Sequence, residues 1–258
     1  MNRTLASLVL TLAVFIASFA NAGERITFPK GSGTNGGYLA LPKGDGTHPG
    51  VIVVHEWWGI SDWIKGRTDA LAALGYVALA VDLYGGKLAK DNDEAHEYMS
   101  GLVDEDAIAS LRAGADYLRS RKDVRAQAIG TVGWCMGGKY AIRLAVEDPA
   151  IRAVVMYYGA PVTDDEQIQA IQASVLGHFG AEDKGPTPSQ AREFETALKK
   201  AGKKAEFYVY QGAGHAFANP ANPWGGYRKE AARTAWKRTL AFLDRELKKA
   251  SIPKKAAD

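Results

Sequence analysis

Residues 133–137 read Gly133-Trp134-Cys135-Met136-Gly137, and this segment restricts the fold more than any other. The run before it, Ala128 to Val132, has the apolar and β-branched character of a buried strand. The run after it, Gly138 to Glu147, places Tyr140, Ala141, Leu144 and Ala145 at helical spacing. A strand that turns at once into a helix forces the backbone into tight conformations. A Cβ on either flanking glycine would strike the neighbouring elements. Cysteine occupies the position where most such turns carry a serine nucleophile, and it is the only cysteine in 258 residues. A lone thiol can also be a buried structural residue, so the pentapeptide by itself leaves both readings open.

The N-terminus argues for export. Arg3 is followed by the uncharged, mostly apolar run Leu5 to Ala20, and Ala20-Asn21-Ala22 is a small-residue cleavage site. The apolar run is shorter than the ~18–20 residues that span a bilayer. The expectation is therefore a signal peptide over 1–22, cleavage after Ala22, and a periplasmic or secreted chain without stable membrane insertion. Exported proteins often pair their cysteines. Here there is nothing to pair, and a single thiol kept in an oxidising compartment favours a working one. The formal charge of +3 is too small to argue for nucleic acid. The basic tail with Lys248, Lys249, Lys254 and Lys255 reads as solvated.

No repeat or linker divides 23–258, whose length suits one large domain. Ile26–Phe28 and Tyr38–Leu41 read as a hairpin across glycine-rich turns. Val51–Val54 is a continuous β-branched run, as in a strand covered on both faces. Strands are then expected at Tyr76–Val81, Ala153–Tyr157, Val175–Phe179 and Ala205–Tyr210. Between them lie helical stretches after Ser61 or Asp62, over Asp91–Arg121, around Asp165–Gln172, over Ser189–Ala201 and over Tyr227–Lys249. Such alternation implies a mostly parallel, doubly wound α/β sheet with helices on both faces. Chemistry in such sheets gathers at the carboxyl ends of the strands.

A thiol attacking an acyl carbon needs a base, and the base needs a group to orient it. In α/β-hydrolase folds the order is nucleophile, acid, histidine. Cys135 is followed by Asp183, three residues past Gly180, and by His215 in Gly212-Ala213-Gly214-His215-Ala216-Phe217. His48, His96 and His178 lie elsewhere in the pattern. Two backbone N–H groups should hold the oxyanion of a tetrahedral intermediate: Met136, at the start of the helix, and Trp57, in the loop after Val51–Val54. Glu56 stands at the same strand end, where partial desolvation and a hydrogen bond to the thiol or the histidine are expected. Trp57, Trp58, Tyr84 and Phe217 are candidates for an aromatic-walled substrate pocket. No cofactor or metal is needed.

With these residues assembled, the chain resembles the dienelactone hydrolase family. The matching pieces are His55-Glu56-Trp57-Trp58-Gly59, Val81-Asp82-Leu83-Tyr84-Gly85, Gly133-Trp134-Cys135-Met136-Gly137-Gly138, Gly180-Ala181-Glu182-Asp183 and Gly212-Ala213-Gly214-His215-Ala216-Phe217. The resemblance implies an α/β-hydrolase fold and an esterase in which Cys135 is acylated, His215 is the base and Asp183 orients it. It further implies that Glu56 touches the resting thiol and helps generate the thiolate. Two arginines that hold the substrate carboxylate in the family are missing. Gly85-Gly86-Lys87 stands in the first neighbourhood and Asn219 at the second position, which leaves Lys87 or Arg228 as substitute charges. The reading is a monomeric hydrolase of small esters or lactones. Its alternatives are acyl transfer or thioester cleavage by the same thiol, and a non-catalytic small-ligand-binding protein of the same fold.

Overall fold

The computed structural model describes residues 22–249, so most of the expected signal peptide lies outside the described residues. Eight strands form one sheet: β1 (Glu24–Lys30), β2 (Gly33–Ala40), β3 (His48–Val54), β4 (Val77–Val81), β5 (Val124–Trp134), β6 (Ala153–Tyr157), β7 (Ser174–Gly180) and β8 (Ala205–Tyr210). Their spatial order is β1-β2-β4-β3-β5-β6-β7-β8. The tight link between Lys30 and Gly33 allows only an antiparallel hairpin, and β2 also meets β4 antiparallel. From β4 onward every pair is parallel, because helical crossovers connect the strands.

Among the described residues seven α-helices provide the cover: α1 (Asp62–Ala73), α2 (Asn92–Ser100), α3 (Asp104–Ser120), α4 (Met136–Glu147), α5 (Asp165–Ala170), α6 (Pro188–Lys200) and α7 (Lys229–Leu243). Side chains alternate along each buried strand and so feed two cores. Ile52 and Val54 of β3, with Val77, Leu79 and Val81 of β4, join Leu111 of α3, Ile142 of α4 and Phe194 of α6. Val51, Val53, Ala78 and Ala80 point to the opposite face, against Ile64 and Leu71 of α1 and Phe242 of α7. Burial on both faces is why these strands read as unbroken apolar runs.

Local chemistry sets the ends of several elements. Ser61 Oγ accepts from the Ile64 N–H, so Ser61 is the cap of α1 and Asp62 its first residue. Thr187 and Gln190 form a capping box ahead of α6, with a proline at its start. Two expectations change. The helical region over Asp91–Arg121 is broken at Gly101, whose N–H caps α2. A new helix then begins with Asp104, Glu105 and Asp106, three acids suited to a helix N-terminus. The last helix leaves α geometry at Asp244 and finishes as a π-helical turn, Asp244–Lys248.

The chain runs from β3 outward to β4 and later returns to β5 on the other side of β3. The strand order therefore switches between β3 and β5, where Val54 is paired with Gly133. A crevice opens beyond the carboxyl ends of strands at such a point, and Glu56 and Cys135 both lie just past it.

Candidate active site

Cys135 joins β5 to α4 with φ 55° and ψ −120°, a left-handed conformation that a side chain rarely adopts. Hydrogen bonds hold it there. Its N–H donates to the Tyr157 carbonyl at 3.0 Å, and its carbonyl accepts from the Gly138 N–H at 2.9 Å. The flanking glycines are required by contact between backbones. A Cβ on Gly133 would lie 2.0 Å from the Gly137 carbonyl oxygen, and one on Gly137 would lie 2.3 Å from that of Val54. The first turn of α4 is thus seated directly on the end of β3.

His215, on the loop after β8, meets both expected partners. Its Nδ1 lies 2.9 Å from Asp183 Oδ2 and its Nε2 lies 3.1 Å from Cys135 Sγ. Asp183 is buried, and its other oxygen accepts from the Gly185 N–H at 2.9 Å. An ionised carboxylate can only accept, so the Nδ1 proton points at Asp183 and Nε2 is left for the sulfur. Burial works against the imidazolium, yet the hydrogen bonds and charges of Asp183 and Cys135 outweigh it and push His215 up to about 10.

Glu56 is buried beside this line and does not hydrogen-bond the sulfur. Its Oε2 accepts from Asn219 Nδ2 at 2.5 Å and its Oε1 from the Tyr158 hydroxyl at 3.4 Å. Burial pushes its carboxyl up to about 7, with Asn219, His215 and Tyr158 partly opposing. Sequence reasoning missed both partners. Asn219 was visible only as the residue in place of an arginine, and Tyr158 only as the residue after β6. The candidate oxyanion donors sit on adjacent elements. Among the described residues neither the Trp57 nor the Met136 N–H has a hydrogen-bond acceptor, as the first N–H of a helix ordinarily lacks one.

Sulfur and imidazole open onto a cavity of about 370 Å³. Met99, Leu102, Ala160 and Pro186 give it apolar wall, and Lys139 supplies a cation one helical turn beyond Cys135. Lys139 Nζ lies 3.0 Å from Asp104 Oδ1, while Arg143 pairs with the other oxygen and the Tyr140 hydroxyl donates at 2.5 Å. Burial favours a neutral Asp104, but the bonds from Tyr140, Lys139 and Arg143 prevail and bring it down to about 2. One carboxylate facing two cations leaves the cluster with one positive charge in excess.

The aromatic wall expected from sequence is not built as expected. Phe217 is fully buried between Tyr158 and Tyr210, with ring centroids 5.4 and 5.1 Å away, and belongs to the core. Trp58 packs with Trp57 and Trp224 in a separate cluster, edge-on to the first indole and tilted against the second. Tyr84 donates its hydroxyl to Met136 Sδ at 3.2 Å and lines a neighbouring cavity with Lys87. Lys87 itself lies over the Tyr98 ring. The Arg228 guanidinium is spent on the carbonyls of Gly212, Gly225 and Tyr227. Lys139, which the sequence did not single out, lines the cavity of the sulfur.

Comparison with known proteins agrees with this architecture. The profile of the Dienelactone hydrolase family matches residues 36–247. A Bradyrhizobium protein named "Probable 2-oxo-3-(5-oxofuran-2-ylidene)propanoate lactonase" is 34% identical over 228 residues, covering 82% of this chain and 91% of the relative. A Methylorubrum extorquens protein named "Putative carboxymethylenebutenolidase" is 32% identical over 240 residues, covering 86% of this chain and 81% of the relative. A Klebsiella pneumoniae crystal structure described as a "Putative Dienelactone Hydrolase" superposes with a TM-score of 0.78 at 28% identity, covering 86% of this chain and 98% of that one.

Proposed function

The chain belongs to the dienelactone hydrolase family and is a hydrolase, and from that premise we propose that it cleaves small esters or lactones through Cys135. The Cys135 thiol gives its proton to His215 Nε2 as the sulfur adds to the substrate carbonyl, and the oxygen that becomes negative is met by the N–H groups of Met136 and Trp57. His215, protonated on Nε2 and oriented by Asp183, gives that proton to the departing alkoxide. In a lactone the alkoxide stays attached to the acyl chain. Water, deprotonated by the now neutral His215, then releases the acid and restores the thiol. The observation that carries this reading is the single line of contacts, sulfur to imidazole at 3.1 Å and imidazole to carboxylate at 2.9 Å. The Bradyrhizobium relative's name supports lactones as substrates.

The excess charge around Lys139 adds a preference for substrates with an anionic group on the acyl side. One experiment tests both parts. The protein is mixed with p-nitrophenyl acetate and with the p-nitrophenyl ester of glutaric acid, whose acyl chain ends in a carboxylate. A burst of nitrophenol with an acyl mass on the peptide containing Cys135 is expected for both. The anionic ester should have a kcat/KM roughly five- to tenfold higher at low salt, and Lys139→Met should erase that advantage. Turnover with an acyl mass on another residue would remove Cys135 as nucleophile, and equal specificity for the two esters would remove Lys139 from recognition.

We further propose export with cleavage after Ala22. The backbone N–H of Gly23 donates to Asp69 Oδ1 at 2.9 Å, and the Tyr38 hydroxyl donates to both Asp69 oxygens. Among the described residues no basic side chain pairs with Asp69. Cleavage at this bond would turn the Gly23 nitrogen into an ammonium already placed on that carboxylate. The intact mass of the protein recovered from the periplasm or medium should correspond to a chain starting at Gly23; a full-length mass confined to the cytoplasm would sink the idea.

A further inference from the structure

We propose that His55 is a positioning residue that sets the direction of the Trp57 N–H toward the reacting oxygen; the proposal rests on the reading of Cys135 as the nucleophile. His55 directly follows β3 and is completely buried. Its Nδ1 lies 2.5 Å from the Glu56 carbonyl oxygen, and its Nε2 lies 3.2 Å from the Leu83 amide nitrogen. A carbonyl can only accept and an amide N–H can only donate. The proton therefore sits on Nδ1, the lone pair on Nε2 is occupied, and no place remains for a second proton. Burial, which pushes the imidazole below its ordinary range, acts in the same direction.

The consequence follows from the planarity of the peptide unit. The Glu56 carbonyl and the Trp57 N–H belong to one trans peptide group and point in opposite directions. The Gly59 N–H also donates to that carbonyl, at 3.2 Å. With the oxygen tied on one side by His55 and Gly59, the N–H is held out on the other. The histidine is itself braced. Its ring packs on Tyr84 at 4.9 Å, and the Tyr84 hydroxyl reaches the side chain of Met136, whose N–H is the second donor. One buried ring thus links the loop after β3, the loop after β4 and the first turn of α4. A donor already aimed at the transition-state oxygen needs no reorganisation as charge develops.

Two substitutions separate the contacts. His55→Asn keeps an N–H donor at the distance of Nδ1, and His55→Gln keeps an acceptor for the Leu83 N–H but no donor at that distance. The acylation rate with p-nitrophenyl acetate is read for each, beside alkylation by iodoacetamide. In alkylation the sulfur forms a bond to carbon as iodide leaves, and no oxyanion appears. Affinity for a short-chain aldehyde gives a third readout. There the thiolate adds to the carbonyl carbon, and the displaced electron pair settles on the oxygen between the two donors before a proton from His215 reaches it.

For His55→Gln, acylation and aldehyde affinity should both fall about 100-fold with KM nearly unchanged, while alkylation stays within threefold of the parent. His55→Asn should recover at least a tenth of the parent rate. Undiminished acylation in the glutamine variant, equal losses in the two variants, or alkylation falling in step with acylation would each overturn the role of His55 while leaving Cys135 acylated in the parent. A parent protein that neither acylates nor binds aldehyde would end the nucleophile reading, and this proposal with it.

Discussion

Cys135→Ala should lower turnover of an aryl ester by about 10⁴-fold or more, because removal of a member of a triad that works as a unit leaves only binding and oxyanion stabilisation. The variant should fold as the parent does. Alanine at φ 55° is strained no more than cysteine there, and the hydrogen bonds that hold the turn come from the backbone. Thermal unfolding of the two proteins should therefore agree within about 1 kcal/mol. Initial rates with p-nitrophenyl acetate, measured beside those melts, separate loss of chemistry from loss of structure. If the two proteins hydrolyse the ester at the same rate, the sulfur has no part in the reaction. Asp183→Asn extends the test, since an amide nitrogen in the place of Oδ2 would favour the wrong imidazole tautomer at His215.

Glu56→Gln should change the pH dependence of stability with a sign opposite to that of a paired surface carboxylate. The folded value of Glu56 is about 7, against 4.5 ordinarily, and burial is the main cause. Between those values the folded protein keeps a proton that the unfolded chain has lost, so stability falls as pH rises through this window. The carboxylate then costs about 3 kcal/mol above pH 7, with little screening to discount because the group is buried. Glutamine does not titrate; its one carbonyl oxygen can still accept from Asn219, while its amide nitrogen donates to the Tyr158 hydroxyl. Denaturant unfolding of parent and variant at pH 5 and pH 8 should show similar stability at the lower pH. At the higher pH the variant should be more stable by up to about 3 kcal/mol. A difference that stays the same at both pH values would mean that Glu56 is not titrating in the folded site. The same carboxyl, changing charge near neutrality beside His215, makes Glu56 a group to follow in the pH profile of kcat.

Much of the site was legible because its requirements are local. The tight turn at Cys135 needs glycines at 133 and 137, and these are read directly from the chain. The order of Cys135, Asp183 and His215 past three strand ends follows from apolar periodicity and punctuating glycines. The helix break at Gly101 was also written locally, in a glycine followed by three acids, but it was hidden inside a region of uniformly helical composition. Phe217 illustrates a different difficulty. Its place beside His215 suggested a pocket wall, yet neighbours in sequence on a loop can point to opposite sides, and only packing against Tyr158 and Tyr210 decided which.

What the amino-acid order alone determined was the alternation of strands and helices, the strained turn that presents the thiol, and the sequence in which nucleophile, acid and base arrive. Those depend on side-chain periodicity and backbone freedom within a few residues. Only the tertiary structure decided that Glu56 is held by Asn219 rather than by the sulfur, that Lys139 lines the sulfur's cavity, and that the His55 ring is locked between two loops. Each of these joins groups far apart in the chain, and each depends on burial. A hydrogen bond or a charge acquires its direction and strength from what surrounds it after folding.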